Sequence, residues 1–249
     1  MGVAYNSRVV TDGLVLCLDA ANPKSYPGSG SIWKDLAGGD NNGTIQGSGF
    51  VSSNKGGFSF NGSTNYVTLP NNTLRTLQSL TVSSWVKFNQ VNANNCLVTN
   101  PQNGLVGVTP WVSPYATWKL GVRRVSGLDY VELSIGTTST FYEETVPTSE
   151  MIGGNISTST VYNIVGTANP DTGVAGFRMY MNGNYTNPAG IAGGPWPPNC
   201  VVSQPILVGT DHGGNYVNGT IYNTTVYNRV LSIDEVRQNF NALRGRFGV

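Results

Sequence analysis

Residues 80–88 read LTVSSWVKF, so Leu80, Val82, Ser84, Val86 and Phe88 fall on one side of an extended strand and Trp85 on the other. This period of two recurs along the chain in short runs, each broken by Gly, Pro or Asn, and it restricts the fold more than any other feature. The run LVLCLDA, residues 14–20, is almost continuously apolar, as expected of a strand covered on both faces, and Pro23 and Pro27 follow it. GFSFNGSTNYVTL, residues 57–69, reads as two short strands about a turn at Asn61-Gly62. Further strands are expected at residues 105–108, 117–122, 130–135, 161–167, 176–182, 206–209 and 219–227. The polar stretch 141–160, with Glu143, Glu144 and Glu150, and the Pro- and Gly-rich stretch 187–199 are expected to be surface loops.

One helix is expected. Ser232-Ile233-Asp234-Glu235 has the form of a capping box, in which a serine hydroxyl and a glutamate three residues on satisfy each other's backbone N–H groups. Val236, Phe240 and Leu243 then fall on one face, so the helix is expected to dock on the sheets and to end near Leu243, with Gly245 as its stop. Thirty-two glycines, 13 prolines and only 11% charged residues suit many strands joined by tight turns, and 12 Tyr, 8 Phe and 5 Trp can fill a sandwich core. No repeat, heptad run or linker divides the 249 residues, so a single domain, residues 1–249 with a core over about 10–248, is expected. The fold class is all-β: two antiparallel sheets in a jelly-roll sandwich with one short C-terminal helix.

Charge narrows the partners. A net charge of +1, with 14 Lys and Arg dispersed apart from Arg123-Arg124 and Arg244-Gly245-Arg246, argues against nucleic acid and leaves close packing against other protein electrostatically cheap. No run approaches the ~20 apolar residues that span a bilayer, and residues 1–13 do not have the pattern of a signal peptide, so membrane insertion is not expected. Cys17, Cys96 and Cys200 have no CxxC spacing and read as reduced, buried thiols.

Three segments carry a family resemblance: VTDGLVLCLDAANPKSYPGSGSIWKDLAGGDNNGTI at 10–45, FSFNGSTNYVTLP at 58–70, and NGTIYNTTVYNRVLSIDEVRQNFNALRGRFG at 218–248. They resemble the laminin-G-like, concanavalin A-like modules of tailed-bacteriophage virion proteins. The resemblance implies a jelly roll with its first and last strands side by side, and glycan or protein binding at loop edges. It also implies a virion protein, made and folded in the host bacterial cytoplasm and contacting major capsid or tail proteins or further copies of itself. Calcium, which some relatives hold, is disfavoured because Asn61, Asn65 and Asn223 stand where carboxylates are usual in the family. No metal site and no cofactor are expected.

Catalysis is not expected. No strand carries alternating carboxylates, Glu143 and Glu144 are adjacent, and any triad would have to use the only histidine, His212. Asp211, His212 and Asn215 instead read as a small polar site for a sugar hydroxyl or a cation, or as an exposed turn. Trp111, Trp118 and Trp196 lie in or beside Pro-rich stretches, where they would stack on sugar rings, fill a partner's pocket, or plug the end of the core. Arg244 and Arg246 would dock on a partner's carboxylates or remain solvated. The leading expectation is a non-enzymatic structural virion protein, a capsid decoration or cement module or a tail-associated one. The alternative is a receptor-binding lectin that recognises host surface polysaccharide.

Overall fold

Alternating strands bury one face each, and here two antiparallel sheets stack to do so. The computed structural model describes residues 8–70, 74, 77, 79–91, 95–100, 118–136, 141–169, 177–186, 205–211 and 214–249. In chain order the strands are β1 (Leu14–Asp19), β2 (Ile32–Trp33), β3 (Gly43–Gln46), β4 (Gly49–Val51), β5 (Gly57–Asn61), β6 (Tyr66–Thr68), β7 (Leu80–Gln90) and β8 (Asn95–Asn100). They continue as β9 (Trp118–Val125), β10 (Leu128–Gly136), β11 (Phe141–Pro147), β12 (Val161–Ala168), β13 (Arg178–Met181), β14 (Asn184–Thr186), β15 (Leu207–Val208) and β16 (Asn218–Tyr227). Two helices accompany them, α1 (Thr148–Ile152) and α2 (Ile233–Phe247).

The first sheet runs β14-β13-β12-β7-β16-β5-β4, and β1 also pairs with β16, so the first and last strands lie side by side. The ten-residue β16 divides one side between two partners: Asn218–Ile221 faces β5, and Asn223–Tyr227 faces β1. The second sheet runs β11-β10-β9-β8-β15-β6-β3-β2. Between the sheets lie Leu16, Leu18, Val82, Val86, Phe88, Leu120, Leu133 and Val208, each with no exposed surface. Burial of each such side chain stabilises the fold by about 1.5–3 kcal/mol. An aromatic cluster closes one flank, with Phe58 4.7 Å from Trp33 and 4.8 Å from Tyr26 between ring centroids.

The outer face of the first sheet is apolar and is covered by α2. Val236 packs with Val165, Tyr180 and Tyr227, and Phe240 and Phe247 stack on Trp85 at 5.6 and 4.3 Å. The capping box is formed: Ser232 Oγ accepts from the Glu235 backbone N–H, and Glu235 Oε2 accepts from that of Ser232 at 2.9 Å. Arg229 also grips the Glu235 carboxylate through two bonds of 2.9 and 2.6 Å, which pulls that carboxyl down to about 2.

Several expectations require correction. Residues 141–147 form β11, paired with β10 from Tyr130 to Gly136, and α1 follows, so the supposed loop 141–160 is half regular structure. Its polar composition fits an edge strand whose partner supplies the hydrogen bonds. Strands β5 and β6 lie either side of Asn61-Gly62 but belong to different sheets, so that turn crosses the sandwich rather than closing a hairpin. Helix α2 runs through Gly245 to Phe247, where aromatic stacking on Trp85 offsets the glycine, and it stops at Gly248 with φ 70°. The expected strand at 105–108 and loop at 187–199 lie outside the described residues.

Candidate binding site

At one end of the sandwich the β5–β6 turn meets the start of β16. The Asn61 side-chain oxygen accepts from the backbone N–H groups of Ser63, Thr64 and Asn65, and Asn65 Oδ1 accepts from Asn61 N–H, an Asx turn that holds the loop. Asn218 stands opposite Asn61 and accepts from Asn89 Nδ2 at 3.3 Å. The segment leading into β16 is tied to the same end, with Gly62 N–H bonded to Val217 O and Val217 N–H to Gly209 O. Within it Asp211 accepts from the backbone N–H and side-chain amide of Asn215 at 3.1 and 2.8 Å. Asp211 and Asn215 are thus brought together at an amide-rich rim, where they bond to each other. His212, expected beside them, lies outside the described residues.

The outer face of the second sheet carries the denser chemistry. Because Leu120, Val122, Val131 and Leu133 point into the core, Lys119, Gly121 and Arg123 of β9 and Tyr130, Glu132 and Ser134 of β10 occupy the other side. Glu132 is 1% exposed and lies 2.8 Å from Lys119 Nζ and 3.5 Å from Arg123 Nε. Gly121 makes room for it: a Cβ there would stand 2.8 Å from Glu132 Oε1 and 3.0 Å from the Asn95 carbonyl oxygen. Ser134, opposite Lys119 in register, is 2% exposed, and among the described residues its hydroxyl has no hydrogen-bond partner. At the far end of the β9–β10 hairpin Arg124 makes a two-bond pair with Asp129, at 2.7 and 2.9 Å, and Asp129 also accepts from Ile156 N–H. The Asp129 bond raises the already high affinity of that guanidinium for its proton. The sequence pattern gave no sign of the Lys119–Glu132–Arg123 network, because its members meet only through the β9–β10 register.

Other expected site residues are redistributed. Trp118 takes the core-plugging alternative: it opens β9, has no exposed surface, and donates from Nε1 to the Leu74 carbonyl at 3.0 Å. Strand alternation, not the nearby proline, sets its direction. Arg246 does not reach outward either. Its side chain is 8% exposed and donates to Asp19 Oδ1 at 2.6 Å, Asn54 O at 2.6 Å and Gly56 O at 2.5 Å, with the guanidinium 4.8 Å from the Phe247 ring centre. Arg244, on the same helix, is exposed. Asn223 is 3% exposed and donates to the Leu18 carbonyl, five positions along β16 from Asn218, so it does not join Asn61 and Asn65 in one cluster. Trp111 and Trp196 lie outside the described residues. Among the described residues no three His, Cys, Asp or Glu side chains group as a metal site would require. Among the same residues no helix is long and apolar enough to cross a membrane.

Residues 61–237 match the model of the concanavalin A-like lectin/glucanases superfamily, more than half of the chain. The chain belongs to that superfamily. The matched region takes in the middle of the chain, where the sequence had shown little beyond strand rhythm, and leaves out the opening segment. No curated protein matches the chain significantly. Among solved structures it is similar to the binding domain of botulinum neurotoxin serotype D/C, with TM-score 0.62, 14% identity, and coverage of 94% of this chain and 53% of that one. It is also similar to Trypanosoma rangeli sialidase in complex with sialic acid, with TM-score 0.61, 17% identity, and coverage of 94% and 33%. A botulinum neurotoxin type C structure, described as entering cells dependent upon interaction with two ganglioside molecules, aligns with TM-score 0.64 at 13% identity, covering 94% and 52%. The chain therefore spans about half the length of the neurotoxin binding domains and a third of the sialidase. At these identities the likeness establishes the shared fold.

Proposed function

We propose that this protein is a non-catalytic carbohydrate-binding module whose ligand meets the amide-rich rim at one end of the sandwich. The observation that carries the reading is the rim formed by Asn61, Asn65, Asn215 and Asn218, which sets amide donors and acceptors side by side at one end of the sandwich. Saccharides offer hydroxyls that donate and accept at once, and such a mixed surface suits them. Membership of a superfamily of lectins and glucanases supports the same reading, as do structural neighbours described with sialic acid or gangliosides. Binding without turnover is part of the reading, supported by the lack of alternating strand carboxylates in the sequence. A glycan array probed with the purified protein, with the bound saccharides then recovered and weighed by mass spectrometry, tests this. Binding with intact saccharide supports the proposal; no binding at millimolar sugar, or shortened products, contradicts it.

The closing segment YNRVLSIDEVRQNFNALRGRFG favours a finer setting, a tailed-phage virion in which the module sits on the capsid or tail and contacts its major proteins. With only 11% charged residues and a net charge of +1, such a surface packs against other protein with little repulsion. Mass spectrometry of purified particles tests the placement, which fails if the protein is absent from them.

A further inference from the structure

The turn at residues 19–26, which leaves β1 on the way to the edge strand β2, gathers four other parts of the chain on one flank of the sandwich. Ser25 Oγ donates to the Lys34 carbonyl and the Lys34 N–H donates to the Ser25 carbonyl, which sets Lys34 beside Lys24. Gly56 packs on Ala20 and Ala21 so closely that a Cβ would stand 2.5 Å from the Ala20 carbonyl oxygen, and this brings Lys55 to the same turn. Tyr26 lies against Phe50 of β4 at 5.2 Å between ring centroids, and Asp19 receives Arg246. Three of the five lysines in the chain thus surround one turn, and all three are exposed. Among the described residues Lys24, Lys34 and Lys55 form no ion pair. The carboxylates beside them are already engaged, Asp19 by Arg246 and the Ala21 N–H, and Asp35 by the N–H groups of Cys17, Ala37 and Asn41. The flank also holds two of the four exposed large apolar side chains among the described residues, Phe50 at 37% and Ile32 at 41%. Strand β4 ends its sheet with β5 as partner, and β2 ends the other with β3, so each leaves one edge without a strand partner. A Cβ at Gly49, beside Phe50, would meet nothing within 4 Å, so the approach to β4 is open there.

We infer that this flank is a docking surface for an extended acidic segment of another protein, which lies along β4 with an apolar side chain on Phe50 and carboxylates on Lys24, Lys34 and Lys55. Charge complementarity sets the sign of the partner. Counted with Arg244 and Arg246 against Asp19, Asp35 and Asp40, these lysines leave the flank at +2 in a chain whose net charge is +1, so the positive field belongs to this side. The apolar features select a polypeptide over other anions. Ile32 is aliphatic and offers no ring face to a sugar, and the open edge of β4 presents backbone donors and acceptors at the spacing another strand would need. Phe50 is held against Tyr26 and, at 6.0 Å between ring centroids, Phe58, rather than projecting as a membrane anchor would. The surface is separate from the amide-rich rim. It lies where β5 begins at Gly57, whereas the rim lies where β5 ends at Asn61, about 13 Å away at the rise of a strand. The inference therefore does not depend on the carbohydrate-binding reading.

The test immobilises the whole chain, selects binders from a library of random dodecapeptides, and titrates the enriched peptide by calorimetry. Enrichment in Asp and Glu interleaved with apolar residues is expected, with an affinity that falls as salt is raised. The triple variant Lys24→Glu, Lys34→Glu, Lys55→Glu changes exposed positions only, so its thermal midpoint should hold while affinity for the peptide falls about tenfold or more. Phe50→Ala should weaken the same peptide without changing its salt dependence. Hydrogen exchange of the complex should protect residues 49–55 and leave residues 61–65 as they are in the free chain. The docking surface is overturned by no enrichment, by enriched peptides without acidic residues, by protection away from residues 49–55, or by parental affinity in the triple variant. Tighter binding of a heparin hexasaccharide or of phosphatidylserine vesicles than of any selected peptide overturns it too, and none of these outcomes bears on saccharide binding at the rim.

Discussion

Arg246 offers the sharpest single perturbation, because it was expected to dock on a partner or remain solvated and instead ties the C-terminal helix to the body of the protein. Its guanidinium makes three hydrogen bonds, to Asp19, Asn54 and Gly56, from a side chain 8% exposed. Removing one member of a buried ion pair costs about 3–5 kcal/mol, since the remaining charge loses its partner without regaining water. Asp19 keeps 18% exposure and a bond from the Ala21 N–H, which places the loss for Arg246→Ala at the low end, about 3 kcal/mol. In a chain of this size that corresponds to about 6–12 °C in Tm. Equilibrium urea unfolding alongside calorimetry measures it, with Arg246→Lys expected to recover part of the loss and Arg244→Ala expected within about 0.5 kcal/mol of the parent. If Arg246→Ala unfolds at the parental midpoint, the clamp is not stabilising and the reasoning from burial and bond count is wrong.

Other outcomes follow from single sites. Gly209 has φ +87°, and a Cβ there would lie 2.3 Å from the buried Phe60 ring, so Gly209→Ala should cost about 3 kcal/mol or more by chemical denaturation. Glu235 is held at about 2 by Arg229, below its ordinary 4.5. Its folded-state value is depressed, so its contribution is complete above about pH 4.5 and is lost as pH falls toward 2. Screened by solvent it amounts to roughly 1 kcal/mol; Arg229→Ala should flatten that acid limb in a pH series of urea midpoints. Burial, reinforced by Asp19 and Asp35, pushes the Cys17 thiol up to about 12 from 9.0. Alkylation of Cys17 at pH 8, followed by peptide mapping, should therefore run about a thousandfold slower than that of an unperturbed thiol.

What could be read from the sequence divides along the line between local and non-local causes. The β7 alternation is local: Leu80, Val82, Val86 and Phe88 enter the core, while Trp85 turns outward. The capping box at Ser232 is local too, and it starts α2 where expected. The end of α2 was missed because Gly245 is a stop signal only when nothing beyond it is held, and here Arg246 and Phe247 are both anchored. Residues 141–147 looked like a loop because their strand character comes from pairing with β10, not from an apolar period of their own. Trp118 looked like a loop aromatic for a similar reason: its proline neighbours in sequence outweighed its place in β9. The Glu132 network depends on which residues of β9 face those of β10, so it leaves no trace in either segment alone. The rim was partly legible, since Asp211 and Asn215 are four apart and their contact is a turn.

The central claim is that the chain binds carbohydrate without cleaving it, and one measurement addresses both halves. Calorimetric titration of the purified protein with neutral hexasaccharides, followed by mass spectrometry of the same sample after prolonged incubation, should show saturable heat and an undiminished hexasaccharide. Absence of heat at millimolar saccharide, or the appearance of shorter sugars, would contradict the account.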